Sequence, residues 1–123
     1  MPYHLTAEPT FLRVVFVGEL TGRDLQVLAH DVEAAERAHA VAPNRLFDLS
    51  QVSRMAIGFR EAWDLVERRQ ALPLANRIKT ALVAPWPVTV GFARMFQTLN
   101  DHPQVEVVIF PTIEAAEGWL INA

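Results

Sequence analysis

Short runs of β-branched and aromatic residues alternate along this chain with longer stretches whose apolar residues recur every three or four positions. Runs of the first kind are typical of strands, and stretches of the second kind are typical of amphipathic helices. We predict strands over residues 3–7, 11–17, 45–49, 77–84 and 105–110. Helices are predicted over residues 21–40, 57–71 and 88–100, with a last helix that Thr112 caps.

The order ββαβαβαβα predicts an α/β domain with one mostly parallel five-stranded sheet and four helices. Strands that are separated by a helix pair in parallel through right-handed crossovers. The first two strands are only a few residues apart, which predicts an antiparallel hairpin at the edge of the sheet. The chain has 123 residues and no linker-like or repeated segment, so we expect a single domain over residues 1–123.

Residue types predict where the elements begin and end, and which of their side chains face the core or the solvent. Gly18 should end the second strand, and Thr21 with Asp24 should form a capping box at the start of the first helix. Glu33 and Glu36 are expected on the solvated face of that helix. The side chains expected to face the core from the next two helices are Phe59, Ala62, Trp63, Val66, Phe92, Phe96 and Leu99. The residues near strand starts that should form a solvent-exposed rim are Arg13, Arg45, Lys79 and Glu106.

Composition excludes several classes of function. The chain is 51% hydrophobic and 20% charged, which is ordinary for a globular protein. It has no cysteine, which excludes disulfides, iron–sulfur clusters, thiolate zinc sites and a cysteine nucleophile, and agrees with a cytoplasmic location. A net charge of −3 is a poor match for nucleic-acid phosphates. No apolar run approaches the roughly 20 residues that span a membrane, and no signal-peptide pattern opens the chain.

No residue pattern predicts a metal, a cofactor or a catalytic site. The four histidines, which have no second ligand at metal-binding spacing, are His4, His30, His39 and His102. The chain lacks the G-x-S-x-G elbow of acyl-transfer enzymes and the glycine-rich loops that hold phosphates. An enzyme remains one hypothesis, because Arg94, Asp48 and Ser50 could meet beyond the strand ends.

The predicted loops at the carboxyl ends of the strands are the best candidates for binding a partner. In parallel α/β sheets this edge is where ligands bind. The loops are predicted over residues 18–20, 50–55 and 85–87, next to the start of the third helix. The candidate partner- or ligand-binding residues are Ser50, Ser53, Arg54, Met55, Trp86, Phe92, Arg94 and Met95. Trp86 and Met55 could instead plug the end of the sheet.

Local motifs connect these elements to a known group. They are GELTGRDL at 18–25, FDLSQV at 47–52, KTALV at 79–83, GFARMF at 91–96, VIF at 108–110 and EAAEGWL at 114–120. With these motifs the chain resembles the SpoIIAA-like proteins of the STAS superfamily, and within it a bacterial subgroup of stand-alone domains. The resemblance covers nearly the whole chain and implies a β–α superhelix with an added antiparallel first strand.

The resemblance also implies a function. Anti-sigma-factor antagonists of this type bind a kinase partner and are switched by phosphorylation of a serine, which opens the helix after the Asp-Leu-Ser strand. The equivalent stretch here, residues 55–59, reads Met-Ala-Ile-Gly-Phe and holds no serine or threonine. Ser50 and Ser53 lie earlier and are not at the matching position. The resemblance therefore does not carry the phosphorylation switch to this chain.

Three hypotheses of function follow. The first is a non-enzymatic regulatory domain that docks a protein partner through the rim loops. The second is a carrier or sensor of a small apolar or lipid-like ligand, because CRAL-TRIO lipid carriers use the same β–α superhelix. The third is an enzyme of unknown class. The edge hairpin or a helix face could also serve a homodimer.

Overall fold

The computed structural model describes residues 3–70, 74 and 76–121. The strands are β1 (Tyr3–Ala7), β2 (Phe11–Thr21), β3 (Asn44–Ala56), β4 (Ile78–Val83) and β5 (Val105–Phe110). The helices are α1 (Gly22–Arg37), α2 (Phe59–Gln70), α3 (Pro87–Leu99) and α4 (Ile113–Ile121). The sheet order is β1-β2-β3-β4-β5, with β1 antiparallel to β2 and the other pairs parallel. The predicted fold, including the edge hairpin, is confirmed.

Helices cover both faces of the sheet. Leu25 and Leu28 of α1, Leu65 of α2, and Phe92 and Phe96 of α3 pack in one apolar cluster on one face. On the other face a smaller cluster joins α4 to the sheet, with the buried residues Phe11, Leu46, Ala81, Val83, Ala116 and Leu120. Because both faces are covered, the inner strands can be apolar on both sides, as parallel sheets usually are.

Strands β2 and β3 both continue past their predicted ends. Gly18 was expected to end β2, but it lies within the strand at a φ of 78°, beside a shift in the register between β2 and β3. Glycine adopts such a positive φ without a steric penalty, so the strand bulges and continues. Residues 18–20 and 50–55 are therefore strand, and the prediction that they form loops is wrong.

The capping box at the start of α1 is confirmed. The Thr21 hydroxyl accepts a hydrogen bond from the Asp24 backbone N–H at 3.2 Å, and the Asp24 carboxylate accepts one from the Thr21 N–H at 2.8 Å. The helix ends at Arg37, a few residues before its predicted end. Residue 71, the predicted end of the second helix, lies outside the described residues.

The predictions about exposure are partly wrong for α2 and for the strand starts. Of the α2 residues expected in the core, Ala62 and Val66 are buried, but Phe59 and Trp63 are 61% and 40% exposed. Arg45 was expected on a solvated rim and is buried. Of the other residues expected there, Glu106 is exposed, whereas Arg13 and Lys79 are half-buried.

Candidate functional site

Large apolar side chains are exposed where α2 and α3 begin. These helices follow the neighbouring parallel strands β3 and β4, so both start at the carboxyl edge of the sheet. Phe59 and Trp63 lie one helical turn apart with ring centroids separated by 6.1 Å. Trp86 and Val88, at the start of α3, are 54% and 52% exposed. We call Phe59, Trp63, Trp86 and Val88 the aromatic rim.

Trp86 is fixed in place while its ring remains exposed. Pairing between β3 and β4 stops at Asp48 and Val83, so the next backbone groups of β3 need other partners. The Ser50 carbonyl accepts a hydrogen bond from the Trp86 indole Nε1 at 3.0 Å, and the Ser50 N–H donates to the Asp48 carboxylate at 2.9 Å. Trp86 therefore lies beside β3 instead of plugging the sheet.

The other predicted rim residues fall into two groups. Ser53, Arg54 and Arg94 are exposed, and Arg54 forms an ion pair with Glu19 at 3.4 Å. The half-buried residues, which pack partly against neighbouring side chains, are Ser50, Met55, Phe92 and Met95. Among the described residues, the Ser50 N–H donates to Asp48, and no hydrogen bond or ion pair joins Arg94 to either of them.

Sequence reasoning missed three members of the aromatic rim, namely Phe59, Trp63 and Val88. Phe59 and Trp63 were expected in the core because, with Ala62 and Val66, they follow the three–four spacing of one stripe. Only Ala62 and Val66 of these four are buried. The charged neighbours Arg60 and Asp64, which pair at 3.3 Å on the surface, are the signal that could have placed the aromatic residues outside.

A cavity of about 90 Å³ lies within the larger apolar cluster, between the sheet and helices α1, α2 and α3. We call it the inner cavity. Thirteen of its nineteen lining residues are apolar. The six polar lining residues are Arg45, Arg69, Gln70, Thr80, Asn100 and His102. Arg45, Thr80 and Val105 lie near the amino ends of their strands, so the inner cavity is at the end opposite the aromatic rim. Of the predicted rim residues, only Phe92 lines it.

Five charged side chains join α1, α2 and β3 at the inner cavity. Glu36 accepts from Arg45 Nη2 at 2.7 Å and from both Arg69 Nη1 and Nη2 at 2.8 and 2.7 Å. Glu33 accepts from Arg68 Nη2 at 2.7 Å. Glu33 and Glu36 were expected on a solvated face and are instead almost wholly buried by these pairs. We call these five residues the charge cluster.

Burial and charge oppose each other in the pKa values of the charge cluster. Burial would raise the pKa of Glu36, but the hydrogen bond from Arg69 and the positive charges of Arg45 and Arg69 lower it below its ordinary value. For Glu33, hydrogen bonding and charge from Arg68 likewise overcome burial and lower the pKa. Burial lowers the pKa of Arg45 to about 10, although Glu36 opposes the shift. Glu33, Glu36, Arg45 and Arg69 therefore remain charged at neutral pH.

The structure offers neither a metal site nor a membrane helix within the part of the chain that it describes. No three His, Asp or Glu side chains of residues 3–70, 74 and 76–121 are grouped so that they could hold an ion. No helix over the same residues has both the length and the apolar character needed to cross a bilayer.

Comparison with solved structures identifies the fold. No protein-family model matches the chain, and no curated protein does. An uncharacterized DUF3478-family protein with a SpoIIAA-like fold from Shewanella loihica PV-4 superposes with a TM-score of 0.62 at 16% identity, over 96% of this chain and 91% of that protein. The chain has the SpoIIAA-like fold.

Two structures of SpoIIAA itself support the same assignment. The anti-sigma factor antagonist SpoIIAA in its unphosphorylated form has a TM-score of 0.60 at 20% identity, over 98% of this chain and 99% of that one. The Bacillus cell fate determinant SpoIIAA in the phosphorylated form has a TM-score of 0.57 at 15% identity, over 96% and 98%. The SpoIIAA-like fold that the sequence motifs predicted is therefore confirmed.

Proposed function

We propose that this SpoIIAA-like domain is a non-enzymatic regulatory module that docks a protein partner through its carboxyl edge. The observation that carries the proposal is the exposure of Phe59, Trp63, Trp86 and Val88 at the starts of two neighbouring helices. Exposed apolar side chains of this size are typical of protein-binding surfaces, in which tryptophan is a frequent energetic centre. The anti-sigma factor antagonist among the similar structures adds support, since it shares the fold.

The polar residues around the aromatic rim suit a protein partner as well. Arg54, Ser53 and Arg94 are exposed at the same edge, and Arg94 has no ion-pair partner among the described residues. A polar rim around an apolar centre is the usual anatomy of a protein interface. We infer that docking is not switched by phosphorylation at the start of α2, because residues 55–59 contain no hydroxyl side chain.

Partner capture with paired variants tests this proposal. The wild-type domain and the double variant Phe59→Ser/Trp86→Ser are immobilised and exposed to extract from the native host, and retained proteins are identified by mass spectrometry. The best candidate is then purified and its affinity for each form is measured by calorimetry. Loss of two central aromatic contacts should weaken binding at least 30-fold, since a single such contact contributes about 2 kcal/mol or more.

The control is Val41→Ser/Ile121→Ser, which removes two exposed apolar side chains, 67% and 60% exposed, before the start of β3 and at the end of α4. This variant should bind the purified partner as wild type does. Equal affinity of the partner for wild type and for the Phe59→Ser/Trp86→Ser variant would contradict docking at this edge.

A further inference from the structure

Arg45 is a buried cation with unused hydrogen-bonding capacity. Its side chain is 5% exposed, and its Nη2 donates to Glu36 at 2.7 Å. Its Nε is buried and has no hydrogen-bond partner. Leaving a buried donor unsatisfied costs about 1–3 kcal/mol, and more for a charged group, so such a donor needs a reason.

The charge cluster also carries more positive than negative charge. It contains the three arginines Arg45, Arg68 and Arg69 and the two glutamates Glu33 and Glu36. Arg45 and Arg69 share the single carboxylate of Glu36, and their mutual repulsion is one of the effects that lower the pKa of Arg45. Arg68 is 45% exposed, so water partly compensates its charge, whereas Arg45 has no such access. One further anion beside Arg45 would balance the cluster.

Arg45 lies next to polar groups of the inner cavity, since Thr80 pairs with it in the sheet and Arg69 shares Glu36 with it. Most of the remaining lining is apolar and includes Phe47, Leu82 and Phe92. A hydrated inorganic anion would lose its water in such surroundings without replacing most of its hydrogen bonds. A molecule with one anionic group and an apolar chain fits both the cation and the lining.

We propose that the inner cavity binds a small apolar monocarboxylate, with its alkyl chain among the leucine and phenylalanine side chains and its carboxylate on the guanidinium of Arg45. A carboxylate accepts two hydrogen bonds from an arginine in a planar arrangement, which makes arginine a better partner for it than lysine. Glu36 keeps its two hydrogen bonds from Arg69 when Arg45 turns donors toward the ligand. The site is independent of the proposed docking edge.

The size of the inner cavity sets the length of the chain. An apolar cavity of about 150 Å³ binds benzene with its six carbons, so a cavity of about 90 Å³ has room for about three or four carbons. The ligand should therefore bury an alkyl chain of about three or four carbons, and longer chains should extend beyond the cavity without further gain. Butanoate and pentanoate are the carboxylates that fit best.

The test is a titration of the wild-type protein with sodium propanoate, butanoate, pentanoate, hexanoate and octanoate at constant ionic strength, followed by two-dimensional NMR. Amide signals of cavity-lining residues such as Leu28 and Phe92 should shift. Each added methylene should strengthen binding about fourfold until the cavity is filled, and not afterwards. Pentanol and pentylammonium, which have the same chain length, should bind at least tenfold more weakly than pentanoate. Pentanol that binds as tightly as pentanoate, or a series in which no carboxylate shifts these signals, would overturn the proposal.

Variants then locate the carboxylate. Arg45→Met should weaken pentanoate binding at least tenfold and leave pentanol binding unchanged. Arg45→Lys keeps the charge without the planar pair of donors and should give an intermediate loss; it also serves if Arg45→Met does not fold. Arg94→Met, at the opposite edge, is the matched control and should bind pentanoate as wild type does.

A cavity-filling variant tests whether the alkyl chain of the ligand occupies the inner cavity. Ala29 is buried and lines the inner cavity, so Ala29→Leu should abolish binding of both pentanoate and pentanol. Unchanged pentanoate binding by Ala29→Leu or by Arg45→Met would place the ligand elsewhere and overturn the assignment.

Discussion

At the scale of single residues, two glycines differ in what the backbone requires of them. Gly18 is the one described residue with a positive φ, and a Cβ atom built on it would meet no other atom within 4 Å. Gly91 also has open space around it, but it lies in helix α3 with no special backbone requirement. Because an added Cβ meets no other atom at either position, substitutions there change the backbone conformational preference without changing the packing.

We predict that the same substitution has opposite effects at these two glycines. Gly18→Ala should lower the free energy of unfolding by about 1–2 kcal/mol, because a Cβ disfavours the left-handed region. Gly91→Ala should raise it by about 1 kcal/mol, because alanine is the better helix former. Urea unfolding followed by circular dichroism measures both. A neutral Gly18→Ala would mean that β2 can continue without the bulge.

The N-cap of α1 could be predicted from the sequence, but the role of Gly18 could not. Thr21 and Asp24 are local partners, three residues apart, so the capping box could be read from the chain alone. The bulge at Gly18 depends on the register between β2 and β3, whose pairs lie more than thirty residues apart. A glycine after an apolar run signals a strand end and a bulge equally well.

At the scale of elements, the charge cluster fastens α1 to α2 and β3. Burial of Glu33 and Glu36 is tolerated only because arginines from the other two elements pair with them. These pairs join residues 9 to 36 positions apart in the chain. Because these partners are distant in the sequence, nothing near Glu33 and Glu36 indicates that they are buried. Their position beside the apolar stripe of α1 predicts a solvated face.

We predict that the charge cluster makes stability depend on pH below neutrality. The pKa values of Glu33 and Glu36 are lower in the folded protein than their ordinary value of 4.5. The stabilisation is therefore fully present above pH 4.5 or so and is lost as the pH falls through the lowered values. Glu36→Gln should cost roughly 3 kcal/mol at pH 7, because it leaves the buried Arg45 without its carboxylate.

Urea unfolding of wild type and Glu36→Gln at pH 7, 5, 4 and 3 measures this dependence. The difference between the two proteins should shrink as the pH falls below about 4.5, because the unfolded wild type then binds protons more readily than the folded protein, in which the pKa of Glu36 is lowered. Glu67→Gln, an exposed change on α2, is the control and should follow wild type at every pH. A constant difference between wild type and Glu36→Gln over this range would contradict the role given to the ion pairs.

At the scale of the whole molecule, the fold was predictable and the site was only partly so. Alternating strand and helix patterns determine the order of elements, and the handedness of parallel crossovers leaves few arrangements. The carboxyl edge follows from that topology, which is why the sequence could predict that Trp86, Arg54 and Arg94 lie exposed there. The inner cavity did not follow from it, because a void forms where side chains of five or more elements fail to meet, and no local pattern records that.

The topology places the two proposed sites at opposite ends of one strand. Trp86 is bound to the Ser50 carbonyl, and Ser50 lies five residues from Arg45 on β3, which at roughly 3.3 Å per residue separates them by about 16 Å. No residue of the charge cluster lies at the carboxyl edge. The ion pairs of the cluster share no residue with the Arg54–Glu19 pair at that edge. Sites this far apart with no shared partners are expected to act additively.

We therefore predict that docking and ligand binding are independent. Arg45→Met should leave affinity for the purified partner within twofold of wild type, and Phe59→Ser/Trp86→Ser should bind pentanoate as wild type does. Calorimetric titration of the partner with and without saturating pentanoate is the more sensitive measurement, because coupling between two binding sites must be reciprocal. A change of fivefold or more in the partner's affinity would show that β3 and its helices transmit the state of the inner cavity to the aromatic rim. The domain would then be a ligand-controlled regulator instead of a scaffold with two separate sites.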